Sequence, residues 1–291
     1  MSASTIFMFG LGYSARVLAD RLMADGWVVR ATVRATDKAD ALTAEGIQTF
    51  VFDGAAPVAD IAGGLDGVTH VLSSVPPGAD GDPVLRHHGA DLAARAGQIG
   101  WAGYLSTTGV YGDRAGGWVD ETSDLTPATM RGERRVEAEA GWCRLWTDSG
   151  LPVHLFRLAG IYGPGRNALE TVRAGGARRV VKQGQVFSRT HVEDITAVLE
   201  ASIARPRPGA AYNVCDDDPA PPQDVITHAC ELLGVDPPPE IPFEEAEMSE
   251  MGRSFYAESK RVSNRRIKDE LGVALRYPDY KAGLAALLAE T

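Results

Sequence analysis

The sequence predicts an α/β fold, in which a doubly wound parallel sheet is followed by a smaller C-terminal part. Short apolar runs alternate with helical patterns over roughly the first 162 residues, and this alternation is typical of βαβ units. A glycine-rich turn joins the first apolar run to the first helical pattern. After about residue 162 the alternation weakens, and glycine, arginine and proline become frequent. These observations predict one sheet domain and a less regular remainder.

The elements follow from the same pattern. The candidate strands are residues 5–9, 28–33, 48–52, 70–75, 103–108 and 153–159, and the candidate helices between them include 14–25, 83–99 and 127–149. Thr126 or Thr129 is expected to cap the last of these helices. The first domain is predicted at residues 1–162, with 187–215 returning to it as a helix and a strand. Residues 163–186 and 216–291 form the predicted small substrate-binding part.

The composition limits the classes of partner and compartment. The 291 residues include 29 basic and 39 acidic side chains, a net charge of −10. Nucleic acids and anionic membranes attract basic patches, so neither is an expected partner. The sequence contains no apolar run of roughly 18 residues and no basic N-terminal start, which favours a cytoplasmic protein. The cysteines lack CxxC spacing and are interpreted as reduced thiols, and no metal site is predicted.

The turn after the first strand has the form of a phosphate-binding loop. Gly10, Gly12 and Ala15 match the GxGxxA pattern, with Tyr13 and Ser14 inside it. The first glycine allows a tight turn, the second allows close approach of a pyrophosphate, and the alanine keeps the helix near the sheet. Phosphate would then rest on the helix N-terminus, where backbone N–H groups and the helix dipole favour anions. The alternative is an ordinary tight turn that opens a helix.

Residues at the ends of later strands indicate which dinucleotide is bound. Arg34 follows the second strand, where an arginine favours the 2′-phosphate of NADP and an acidic residue would favour NAD. Asp53 closes the third strand and is predicted either to reach the adenine ring or to form an Asp-Gly turn. Ser73 and Val75 lie at the end of the fourth candidate strand, where the chain enters the loop that should pass the nicotinamide. The expected cofactor is therefore NADP, with NAD possible.

Several motifs, taken in order, carry a family resemblance. They are GLGYSA in the phosphate loop, STTGVYG (106–112), FRLAGIYGPGR (156–166), HVEDITA (191–197), YNVCDDDPAPPQDV (212–225) and RVSNRRIKDELG (261–272). With these motifs the chain resembles the extended short-chain dehydrogenase/reductases, the NAD-dependent epimerase/dehydratase group. The resemblance implies a Rossmann domain, a C-terminal substrate domain and a cleft between them. Many relatives act on nucleotide sugars, and many are dimers through the helices that correspond to 83–99 and 127–149.

The resemblance also implies three catalytic residues. In this chain, two of the three corresponding positions have a different type of residue. Thr107 matches the Ser or Thr of the family. The family then has a Tyr-x-x-x-Lys pair on the next helix, where this chain has Arg131 and Arg135. A one-residue shift in the alignment gives Met130 and Arg134 instead, again without a tyrosine. Arg135 can replace lysine as a fixed positive charge, whereas Arg131 cannot transfer a proton but can bind an anion.

Two interpretations of these arginines remain open. Arg131 and Arg135 lie four residues apart on one helical face, a repulsive spacing. A bound anion in the cofactor and substrate cleft would justify this spacing. Alternatively both are surface charges, with Arg135 pairing with Glu139 and Arg134 with Glu137.

Other groups that could carry a proton are Tyr111, His87, His88 and His191, each of which is more simply explained as structural. The favoured function is therefore an NADP-dependent oxidoreductase, epimerase or dehydratase with an atypical active site. Its expected substrate is an anionic small molecule such as a nucleotide sugar. The alternative is a dinucleotide-binding sensor or scaffold without turnover, which the missing tyrosine would explain directly.

Overall fold

The computed structural model describes residues 4–290. The chain divides into two compact units. Among the described residues, unit 1 contains 4–107, 133–157 and 198–212, and unit 2 contains 108–132, 158–197 and 213–290. Each unit is therefore assembled from segments that are distant in the sequence.

The strands are numbered in chain order. They are β1 Thr5–Phe9, β2 Val28–Val33, β3 Gln48–Val51, β4 His70–Ser73, β5 Trp101–Thr107, β6 Trp118–Val119, β7 Val153–Leu158, β8 Gly160–Tyr162, β9 Arg179–Val181, β10 Arg189–His191, β11 Ala211–Val214, β12 Glu240–Pro242 and β13 Arg261–Val262.

The helices are numbered in the same way. They are α1 Tyr13–Ala24, α2 Thr36–Ala44, α3 Ile61–Gly64, α4 Pro83–Ala94, α5 Met130–Ser149, α6 Ala168–Arg173, α7 Val192–Ala204, α8 Pro222–Leu233, α9 Glu250–Phe255, α10 Arg265–Leu271 and α11 Tyr280–Ala289, with a 3₁₀ turn at Thr108–Tyr111. None of the helices within residues 4–290 is both long and apolar enough to cross a membrane.

The central sheet has the strand order β11-β7-β5-β4-β1-β2-β3. Strand β1 runs parallel to both β2 and β4, so the chain winds outward from β1 in two directions. This arrangement confirms the predicted Rossmann-type doubly wound sheet. The order reverses between β1 and β4, and ligands of such sheets bind beside the carboxyl ends of the strands at this position.

The core of unit 1 explains why its strands read as continuous apolar runs. Every residue of β1 is buried, because a parallel sheet is covered on both faces. Phe7, Phe9, Tyr104 and Trp142 belong to one buried apolar cluster in this unit. The rings of Tyr104 and Trp142 stack with their centroids 5.5 Å apart, so β5 and α5 pack directly against each other.

Helix α5 begins later than the pattern predicted. The candidate helix started at residue 127, whereas α5 starts at Met130. Thr129 Oγ1 accepts a hydrogen bond from the backbone N–H of Gly132 at 3.2 Å. Thr129, rather than Thr126, therefore caps the helix, and Pro127 lies before the first turn.

Unit 2 is built from short parallel ladders and its own apolar core. Strand β10 pairs with β8, β12 with β9, and β13 with β6. The core of the unit includes Tyr162, Leu169, Val225, Tyr280 and Leu284, from β8, α6, α8 and α11. Its strands contain only two or three residues each, too few to produce a readable alternation in the sequence.

Candidate functional site

The loop after β1 is held in place by hydroxyl groups of neighbouring segments. Gly10 has a φ of 82°, a left-handed conformation that glycine adopts without strain. Its N–H donates to Thr32 Oγ1 at 2.8 Å, and its carbonyl accepts from Ser74 Oγ at 2.6 Å. A Cβ at this position would come within 2.9 Å of Ser74 Oγ. Gly10 is therefore required by the turn itself.

Gly12 occupies a different environment. It is exposed and precedes α1, and no side chain caps the first turn of the helix. A Cβ at Gly12 would meet no protein atom within 4 Å. Tyr13 starts the helix, and Ser14 and Ala15 are buried against the sheet. Open space therefore faces a helix N-terminus at the reversal point of the sheet, and this geometry suits a phosphate group.

The residues expected to select the dinucleotide lie at the ends of β2 and β3. Arg34 directly follows β2 and is exposed. Asp53 is also exposed, and its carboxylate accepts the N–H of Ala55 at 2.8 Å. Asp53 thus forms the predicted Asp-Gly turn.

The segment after β4 contacts the phosphate loop. Ser73 is fully buried at the end of β4. Val75 is partly exposed and packs on the core of unit 1, and one of its methyl groups would lie 3.1 Å from a Cβ placed on Gly10. Ser74, which the sequence analysis did not single out, makes the hydrogen bond that joins the two segments. The serine pair in SSVPP was the available signal, but it does not show which hydroxyl turns toward the loop.

Arg135 is a residue of α5 whose guanidinium group contacts the carboxyl-terminal half of β5, and both elements belong to unit 1 at this point. Its Nη1 donates to the carbonyl of Leu105 at 2.7 Å and to Tyr104 Oη at 2.9 Å. Thr107 is the last residue of β5. The guanidinium is thus bonded to Leu105, which lies two positions before Thr107, the threonine that the resemblance implicates. The alternative interpretation, a surface pair of Arg135 with Glu139, is not what the structure shows.

Glu139 instead belongs to a buried network in unit 1. Its carboxylate accepts from Ser106 Oγ at 2.5 Å and from Arg157 Nη2 at 2.8 Å. Glu139 and Arg157 are nearly inaccessible to solvent. The network joins α5 to β5 and β7. The sequence contains all three residues, but it does not reveal that they meet.

Arg131 has a different environment, within unit 2. The side chain is exposed, and its guanidinium carbon lies 5.7 Å from the ring centroid of Phe255 in α9. The two arginines of the helix therefore differ in their surroundings, although the spacing in the sequence makes them equivalent.

The other candidate proton carriers have structural partners. Tyr111 is buried and its Oη donates to Asn213 Oδ1 at 2.7 Å. His88 is buried, stacks on Phe9 and lies 3.1 Å from a carboxylate oxygen of Asp91.

The remaining histidines also have defined contacts. His191 is buried against Tyr162 and Tyr277, and burial lowers the pKa of His191 to about 4. His87 Nε2 lies 3.2 Å from the carbonyl of Gly54. These contacts support the structural interpretation of each residue.

Solved structures of other proteins share the architecture of this chain. A conserved protein of unknown function from Silicibacter pomeroyi DSS is 53% identical, with a TM-score of 0.90 over 99% of both chains. A Methylobacillus flagellatus protein provisionally described as an NAD-dependent epimerase/dehydratase is 27% identical, with a TM-score of 0.74 over 99% of both chains. A dTDP-glucose 4,6-dehydratase from Bacillus anthracis, solved with NAD, is 14% identical with a TM-score of 0.78, over 99% of this chain and 96% of that one.

This chain has the extended short-chain dehydrogenase/reductase fold. The resemblance predicted from the motifs is thereby confirmed. The chain also belongs to one family with the Silicibacter protein. Protein YeeZ of Escherichia coli K12 is 29% identical over 283 residues, 94% of this chain and 96% of its own length. No family model matches the chain.

Gly10 and Gly12 form a tight turn between β1 and α1, as the GxGxxA pattern predicts.

Proposed function

We propose that the protein is an NAD(P)-dependent oxidoreductase, epimerase or dehydratase with an atypical active site, whose substrate is an anionic small molecule. The observation that carries this proposal is the open space at Gly12, in front of the first turn of α1 and beside the reversal point of the sheet. Backbone N–H groups at such a helix N-terminus bind phosphate. The structural neighbour from Bacillus anthracis was solved with NAD.

NADP is the proposed cofactor, because Arg34 follows β2 and is exposed. An arginine there can pair with the 2′-phosphate, whereas NAD offers only hydroxyl groups to it. Asp53, Ser73 and Val75 are the further residues proposed to line the cofactor site.

Three residues are proposed to act on the bound cofactor and substrate. The nicotinamide supplies the hydride acceptor or donor. Thr107 supplies a hydroxyl group that can donate and accept a hydrogen bond. Arg135 supplies a fixed positive charge beside the end of β5, and Arg131 supplies a charge that can bind a phosphate or carboxylate. Neither arginine is proposed to transfer a proton, because a guanidinium group is a hydrogen-bond donor without an acceptor atom.

A fluorescence titration with NADPH and NADH tests the cofactor proposal. NADPH should bind roughly ten- to a hundredfold more tightly, the usual effect of one charge-assisted hydrogen bond. Arg34→Ala should remove the preference, and Lys38→Ala, which changes an exposed residue of α2, should keep it. Equal affinity for both dinucleotides, or tighter binding of NADH, would contradict the NADP proposal.

The loop itself is tested by Gly12→Val. The added side chain meets no protein atom within 4 Å of its Cβ, so the fold should survive while both dinucleotides lose binding. Gly97→Val is a matched control in unit 1, because a Cβ at Gly97 also meets nothing within 4 Å. Normal dinucleotide binding by a folded Gly12→Val variant would sink the proposed site.

A dinucleotide sensor or scaffold without turnover is the second candidate. It is favoured by one observation, the arginine at the position where the family has its proton-transferring tyrosine. Such a protein should bind NADPH and change its hydrogen-exchange pattern, yet never oxidise or reduce the nicotinamide in the presence of nucleotide sugars. Any substrate-dependent change in absorbance at 340 nm (the wavelength of the reduced nicotinamide) would exclude it.

A further inference from the structure

Unit 2 contains a pocket of 320 Å³ between α6, α8 and α11. Its walls include the aromatic rings of Tyr162 and Tyr280 and the aliphatic side chains of Val225 and Leu284. The volume lies at the lower end of the range found for small-molecule sites. It corresponds to about ten groups of the size of a water molecule.

Two arginines give the pocket its charge. Arg178 and Arg189 both line it, and no acidic residue is among the lining residues within the described part of the chain. This local charge stands out in a chain whose net charge is −10. A cationic and partly apolar lining is complementary to an organic anion.

Arg189 is anchored so that its charge stays at the pocket. Its Nη1 donates to the carbonyls of Phe187 at 2.9 Å and Ala220 at 3.0 Å, and its guanidinium carbon lies 6.0 Å from the centroid of the Tyr280 ring. Burial lowers the pKa of Arg189, yet the side chain keeps accessible surface. Holding a cation in such a place is costly unless an anion compensates it.

The protein's own carboxyl groups compensate this charge only in part. Asp216 is buried, and burial raises the pKa of this carboxyl to about 8 despite the nearby Arg189. Neither carboxylate oxygen of Asp216 has a hydrogen-bond partner within the described residues, so Asp216 does not hydrogen-bond to the Arg189 guanidinium. The charge of Asp218 also acts on Arg189. Positive potential is thus left at the pocket for a ligand.

Arg178 supplies a second cation with a different mobility. It is exposed and lies next to β9, where its Nη1 donates to the carbonyl of Glu247. An exposed arginine can reorient toward a ligand, whereas the anchored Arg189 is preorganised. Together the two could bind one anionic group from two sides.

We propose that this pocket binds a compact organic anion, with a phosphate or carboxylate group between Arg178 and Arg189 and a small apolar body against Val225, Leu284 and the two tyrosines. This ligand is smaller than the nucleotide sugars considered above. Its binding does not require a dinucleotide in unit 1, so this inference and the proposed function can fail independently.

Calorimetric titration of the full chain with phenyl phosphate, without any dinucleotide, tests the inference. Phenyl phosphate should bind, benzoate should bind more weakly, and the uncharged analogue phenol should bind at least tenfold more weakly than phenyl phosphate. Equal binding of phenol and phenyl phosphate would overturn the proposal.

Variants then locate the binding. Arg189→Met should weaken phenyl phosphate binding roughly ten- to a hundredfold. Arg178→Gln changes an exposed residue and should fold normally. This variant should weaken phenyl phosphate binding several-fold, and it keeps the test valid if Arg189→Met does not fold. Arg173→Gln is the control, because Arg173 is an exposed arginine of α6 that does not line the pocket. Unchanged affinity in a folded Arg178 or Arg189 variant, or an equal loss in the control, would overturn the proposed site.

Discussion

At the scale of single residues, Arg131 and Arg135 lie four positions apart on α5 but have different surroundings. Arg135 is bonded to the end of β5, and Arg131 lies exposed beside Phe255. If the proposed function holds, Arg135→Ala should weaken NADPH binding by roughly ten- to a hundredfold, the effect of one charge-assisted hydrogen bond. Arg131→Ala should instead weaken substrate binding and leave NADPH affinity nearly unchanged. Titration of both variants with NADPH distinguishes the two roles, and wild-type affinity in Arg135→Ala would refute this assignment.

A second residue-scale prediction concerns Glu139, which is buried with Arg157. Glu139→Gln leaves the buried guanidinium without its carboxylate and should cost about 3–5 kcal/mol of unfolding free energy. Glu137→Gln changes an exposed residue of the same helix and should cost little. The double change Glu139→Met with Arg157→Met should recover much of the loss, because it removes both buried charges. Urea unfolding measures all three, and equal stability of the two glutamine variants would contradict the network.

At the scale of elements, the segment that follows β11 contains a carboxyl group, Asp216, that should make stability depend on pH. Burial raises the pKa of Asp216 from 3.8 to about 8. The folded state therefore holds a proton that the unfolded chain releases, and this contribution to stability falls as the pH rises from about 4 to about 8.

Asp216→Asn tests this dependence, because the amide cannot ionise. The unfolding free energies of variant and wild type are measured at pH 5.5 and at pH 8.5. The difference, variant minus wild type, should be larger at pH 8.5 than at pH 5.5. Asp224→Asn, at an exposed position of α8, should show no such trend. A difference between Asp216→Asn and wild type that stays constant with pH would show that Asp216 ionises normally.

At the scale of the whole molecule, the last prediction concerns the association of two copies of the chain. The family resemblance implies a homodimer through α4 and α5, and this stays a prediction for the chain. Sedimentation at micromolar concentration should then give twice the mass of the 31.0 kDa chain. Replacing Ala90, an exposed residue of α4, by glutamate adds a like charge to each copy of that helix and should shift the equilibrium toward monomer. A monomer in the wild type at that concentration would disprove the inference.

The sequence by itself determined the features that depend on local order. The alternation of strands and helices, the glycine turn and the two arginines four residues apart on one helix can all be recognised from neighbouring residues. They were sufficient to predict the doubly wound sheet and the family resemblance, because strand and helix periods are local properties of the chain.

Only the tertiary structure decided which distant groups meet. Arg135 bonds to Tyr104 and Leu105 across about thirty residues, and Glu139 prefers Arg157 to the arginine one helical turn away. The spacing of four residues allowed the local pair, but the buried position of Arg157 made the distant pair stronger, since an unpaired charge in the core is more costly than one at the surface. In the same way, the pocket of unit 2 combines α6, α8 and α11, which are far apart in the sequence, and packing alone brings its two arginines to one cavity.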